Sequence, residues 1–218
     1  MCEGEDLVEA GLAAGLVPME ALVDAERPAL VTRLPGAELV EPRLMAEIST
    51  LGHPPRVVAV FRRADLPAGQ DAPTGLALWR VGDPGNVGAL VRAADALGPA
   101  FVALSAGCAD PTSPKALRAS AGAIFRVPLA RYEDAPRPWI GLTPRAERPL
   151  WKLELGERAT FVLGAEREGV PDDTAARCDA LASIPLAAGA ESLNVALAGS
   201  IALYERRRRR AGGASGIA

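Results

Sequence analysis

Four short, unbroken apolar runs, LALWRV, FVALS, WIGLT and TFVLG, recur between residues 76 and 164. A strand with one wet face alternates polar and apolar residues; runs without alternation are covered on both faces, the condition of a parallel sheet. Between the first two runs, Val87, Leu90, Val91, Ala94 and Leu97 fall at helical spacing before Gly98, which makes a strand-helix-strand unit. Ser113 ahead of Pro114 caps a helix through KALRASAG, and IFRVPL and ALASIPL read as further strands. The expected fold class is therefore α/β, with a parallel sheet covered on both faces. The last element, SLNVALAGSIALYE, is apolar nearly all round and runs into Arg206–Arg210. Such a helix belongs in a core or a subunit interface.

Ahead of this region the chain is organised differently. EDLVEAGLAAG and VEPRLMAEIST read as short helices, and ALVDA and RVVAVF as strands, a small α/β unit. The stretch after it, rich in Ala, Pro and Asp, has no periodicity. The division expected is a small α/β domain over 1–65, a linker over 66–74, a large domain over 75–210 and a disordered tail over 211–218. Residues 1–73 hold 12 acidic and 6 basic side chains, and residues 74–218 hold 15 and 18. A polyanionic partner would face the second part. No apolar run is long enough for a bilayer and no basic-plus-apolar leader opens the sequence, so the expected location is cytoplasmic. Cys2, Cys108 and Cys178 have neither disulfide nor zinc spacing, and no metal is expected. His53, the single histidine, stands in no motif.

Three glycine-bearing clusters follow strands. GDPGNVGALVR spaces its glycines unlike a dinucleotide fingerprint, and FVALSAG does not end in the acid that would hold a ribose diol. A nicotinamide-dependent oxidoreductase is thus poorly supported; taken alone, the stretch is a turn with Asn86 as helix cap and Arg92 solvated. FVLGAEREGVP places Gly164 at a strand end, where a glycine lets backbone approach a ligand. IPLAAGAESLNVALAGS brings Ser192 and Asn194 to the start of the final helix. Each alone reads more readily as a turn or a cap.

Together, and in this order, NVGALVR, GAEREGVP and ESLNVALAGSIALYE resemble the three motifs of the SpoU (TrmH-like) family of RNA ribose 2'-O-methyltransferases, in the SPOUT superfamily. The resemblance runs from about Leu76 to Glu205, and EGEDLVEA is similar to the start of the small substrate-binding domain that many members carry. It implies a parallel-sheet domain whose C-terminal segment threads a trefoil knot, binding S-adenosylmethionine and completed by a second subunit. Leu163, Gly164, Ile184, Leu186, Ser192 and Leu193 would line the cofactor. Asn86, Arg92, Glu166, Ser192 and Asn194 would form the catalytic set, acting on rRNA or tRNA. Lys115, Arg118, Arg206 and Arg207 are the RNA-contact candidates, although cations at a helix end are as often merely solvated. Two departures weigh against RNA recognition by the small domain: it is acidic, and members usually carry a preceding, often basic, segment, so either the true start lies upstream of Met1 or that arm is lost. An RNA-binding protein that kept the knot and lost catalysis is the alternative.

Overall fold

The computed structural model describes residues 1–34, 36–50, 53–166 and 168–213. Strands β1 (Cys2–Glu3), β2 (Glu20–Asp24), β3 (Glu38–Val40) and β4 (Val57–Val60) form a mixed sheet in the order β1-β4-β2-β3. Helices α1 (Glu5–Ala13) and α2 (Pro42–Ile48) accompany it. The second sheet contains β5 (Thr74–Leu78), β6 (Phe101–Leu104), β7 (Leu129–Arg131), β8 (Trp139–Leu142), β9 (Ala159–Leu163) and β10 (Ala180–Ala182). Its order is β10-β8-β9-β5-β6-β7, and every pairing is parallel.

The central strands β5 and β9 are buried at every residue, and their side chains divide between two cores. Leu76, Leu78, Phe161 and Leu163 face α3 (Pro84–Leu97) and α6 (Val195–Gly213), while Ala77 and Val162 join Tyr132 and Trp139 on the other side. Two glycines permit the close helix packing. A Cβ at Gly88 would strike the Ala116 carbonyl of α4 (Pro114–Ser120), and one at Gly199 would strike Leu90 and Leu163.

Several expectations are corrected. IFRVPL is not one strand: left-handed Ala121 and Gly122 end α4, a 3-10 turn over Ala123–Phe125 buries Ile124 and Phe125, and only then does β7 begin. The first apolar run leaves the sheet after Leu78, and Arg80 turns left-handed at φ +52°. Residues 66–74 make contact with the second sheet. Ala68 bridges Leu129 at the sheet edge, and Arg158 donates to the Gln70 carbonyl at 3.0 Å. The two sheets also share packing, since Gly11 lies against Phe61, whose ring meets Phe125 edge-on at 5.5 Å. Helix α6 continues through 211–213, part of the stretch expected to be a disordered tail; 214–218 lie outside the described residues.

Candidate active site

The chain runs outward from β5 through β6 to β7, then returns to build β8, β9 and β10 on the other side. Between β5 and β9 the direction of winding reverses, and ligands of open α/β sheets sit at such a point, beyond the carboxyl ends of the strands. The three glycine-bearing loops all leave from that rim. Asp83 accepts the Asn86 N–H at 2.9 Å and caps α3, so Asn86 is released from the capping role its position suggests.

Asn86 instead joins the three loops. Its Nδ2 donates to Glu166 Oε1 at 2.8 Å, and its Oδ1 accepts from Asn194 Nδ2 at 3.0 Å. Asn194 Oδ1 in turn accepts the Ala196 N–H at 2.8 Å, fixing the start of α6. Glu166 and Asn194, 80 and 108 positions from Asn86, thus form one hydrogen-bonded line with it.

Beside this line opens a cavity of about 760 Å³. Leu163, Gly164, Ile184, Leu186, Ser192 and Leu193 all line it, as does Glu166. The loop after β8, Thr143 to Ala146, forms another wall. Sequence reasoning missed that wall, although the end of the WIGLT strand was a usable signal, because parallel strands deliver all their carboxyl-end loops to one rim. Gly164 has a further reason to be glycine besides the one expected. A Cβ there would land on the Gly169 carbonyl and the Val170 N–H of its own loop, so the glycine closes the loop on itself.

Arg92 is exposed on α3, makes no hydrogen bond or ion pair among the described residues, and does not line this cavity. The basic candidates are scattered. Lys115 pairs with Asp83 at 2.6 Å, which holds the Asp83 carboxyl below its usual range, and Arg118 donates to Thr50 Oγ1 at 3.4 Å. Arg207 is exposed and donates to the Gly98 carbonyl at 3.1 Å. Arg206 must be withdrawn as an RNA contact: it is 4% exposed, with its guanidinium on the Leu155 and Glu157 carbonyls. Among the described residues no group of three His, Cys, Asp or Glu side chains could hold a metal, and no helix is long and apolar enough to cross a membrane.

A parallel-sheet α/β chain with this cavity at its winding reversal matches a known family. The SpoU rRNA Methylase family aligns with residues 73–204, and the chain belongs to that family. It is 32% identical to an uncharacterised tRNA/rRNA methyltransferase of Synechocystis sp., over 96% of this chain and 84% of that protein. It is 36% identical to the 23S rRNA (guanosine-2'-O-)-methyltransferase RlmB of Escherichia coli over 67% of the chain, spanning 64% of that protein's length. The crystal structure of the SpoU methyltransferase AviRb from Streptomyces viridochromogenes, in complex with AdoMet, superposes with a TM-score of 0.81 at 26% identity, covering 99% of this chain and 90% of that one.

Proposed function

We propose that the chain transfers a methyl group from S-adenosylmethionine to a ribose 2'-hydroxyl of rRNA or tRNA. The observation that carries this reading is the Glu166–Asn86–Asn194 line, which meets the large cavity through Glu166. The cavity suits the cofactor: its volume is that of a small-molecule site, Leu163, Ile184, Leu186 and Leu193 offer apolar walls to a nucleoside, and Glu168, Asp172 and Glu191 offer negative charge to a cationic ligand. The bound cofactor supplies a methyl already activated on a sulfonium, so the protein's task is alignment. The 2'-oxygen attacks the methyl carbon, the C–S pair departs with S-adenosylhomocysteine, and one proton is released. A guanidinium is a poor base and a planar fork of donors, so Arg92 takes the role of gripping a phosphate and polarising the hydroxyl.

The working unit in this reading is a homodimer. Leu197, Ile201 and Tyr204 stand 39–57% exposed along α6, an apolar stripe a second copy would cover. The dimer also gives Arg92 a task, in the partner's cavity. The trefoil threading of the C-terminal segment belongs to the same reading, supported by the closed loop at Gly164 and the seat of Gly199 against Leu163. A map of ribose methylation in RNA from cells with and without the chain tests the function. One or more 2'-O-methyl marks should vanish with the chain, and an identical map would refute it.

A further inference from the structure

A second, smaller cavity of about 300 Å³ opens beside the first, lined by Arg80, Gly82, Gly107, Ala165, Glu166 and Glu168. The two share Ala165, Glu166 and Glu168, so whatever fills one abuts whatever fills the other. Arg80 is the unusual feature. It is left-handed at φ +52°, a conformation that glycine adopts freely and a long side chain rarely does. The surroundings impose it: Trp79 N donates to the Leu163 carbonyl at 2.7 Å, Arg80 N to Ser105 Oγ at 2.9 Å, and Ala109 N to the Val81 carbonyl at 2.9 Å. Strain of this kind, held in place on three sides at a site's edge, points to use of the side chain.

That side chain is laid over Gly107, where a Cβ would sit 3.4 Å from Arg80 Cγ and 3.6 Å from Nε. Its guanidinium makes no hydrogen bond or ion pair among the described residues, although two carboxylates line the same cavity. Glu168 likewise makes none, whereas Glu166 is engaged by Asn86. Among the described lining residues one positive and two negative groups leave a net negative charge, which disfavours a phosphate. A planar fork of donors and a free carboxylate suit instead a planar base carrying paired acceptors on one edge and paired N–H donors on another. Guanine has O6 and N7 for the guanidinium and N1–H and N2–H for the carboxylate, and no other common base has both pairs.

We propose that this second cavity receives the base of the nucleotide to be methylated, that the base is guanine, and that Arg80 determines the choice. The proposal rests on the methyltransferase reading above, with the ribose of the same nucleotide at the join of the cavities. The test uses the full chain, tritiated S-adenosylmethionine and total RNA from cells lacking the chain, followed by digestion to nucleosides. Label should appear in 2'-O-methylguanosine; label in another 2'-O-methyl nucleoside overturns the guanine subsite while leaving the function standing. No label in any nucleoside would overturn the function itself and this inference with it. The decisive variant is Arg80→Gly, which relieves the left-handed backbone. It should melt no lower than the parent and bind S-adenosylhomocysteine equally in calorimetry, yet lose roughly 10- to 100-fold in kcat/KM for RNA, the range of a bidentate base contact. Unchanged kcat/KM, or an equal loss of S-adenosylhomocysteine affinity, would overturn the role given to Arg80.

Discussion

Arg92 and Asn86 leave the same helix with opposite situations. Asn86 uses both ends of its amide on side chains from other loops, whereas Arg92 stands exposed without a partner among the described residues. An exposed, unpaired arginine costs little stability to remove. Arg92→Ala should therefore keep its melting temperature and its affinity for S-adenosylhomocysteine while losing ~10² to 10⁴ in methyl-transfer rate, the scale of positioning and proton-handling groups. Arg92→Lys separates the roles: a phosphate grip predicts a lysine variant almost as poor as alanine, because an ammonium lacks the planar fork. Rescue that grows with pH would identify a base instead. The polar residues were legible in the sequence only as a set. Asn86 alone reads as a cap, and it was Asp83, three residues earlier, that took that task and freed the amide.

Helix α6 shows what periodicity cannot resolve. Its apolar character was plain, but which of five consecutive arginines faces inward depends on how the helix is seated. Arg206 lies inward on the Leu155 and Glu157 carbonyls, and Arg209 reaches the Leu150 and Leu153 carbonyls, so two of the five fasten the segment before β9. Glu205 binds Arg208 at 2.8 Å and Arg209 at 2.6 Å, and these partners lower its carboxyl from the ordinary 4.5 to about 2. A carboxyl whose folded value is depressed stabilises the fold fully above its unfolded value and loses that contribution as pH falls through the folded one. The parent should thus lose on the order of 2 kcal/mol between pH ~4.5 and ~2 through this group, allowing for solvent around Arg208. Glu205→Gln should be less stable at neutral pH by a similar amount, with a flatter acid limb in denaturant titrations. Parallel acid limbs would mean that Glu205 is uncoupled from folding. The strand IFRVPL failed for a related reason, since an apolar run records burial, and a 3-10 turn buries Ile124 and Phe125 as completely as a strand would.

Across the whole molecule, the parallel sheet was legible because β5 and β9 are covered on both faces, which removes all alternation from their sequences. The strand order was not, because nothing local records that β9 enters between β5 and β8. That insertion creates the winding reversal and brings Asn86 within reach of Glu166. A closed two-fold dimer in which Arg92 serves the partner's cavity makes a sharp prediction. Mixing Arg92→Ala with Asn194→Ala subunits, each nearly inactive, should restore about a quarter of parental activity, since half the dimers are mixed and each of those holds one intact site. No restoration would place Arg92 and Asn194 in the same subunit's site, or the activity in a monomer.

The central claim is methyl transfer to a ribose oxygen, and its most direct measurement is the position of the transferred methyl. Purified chain, tritiated S-adenosylmethionine and RNA from cells lacking the chain should yield label that survives alkaline hydrolysis within a dinucleotide, because a methylated 2'-oxygen cannot assist cleavage of the neighbouring phosphodiester. Label that alkali releases entirely as mononucleotides would place the methyl on a base, and RNA that acquires no label would show that the cavity at the winding reversal serves another reaction.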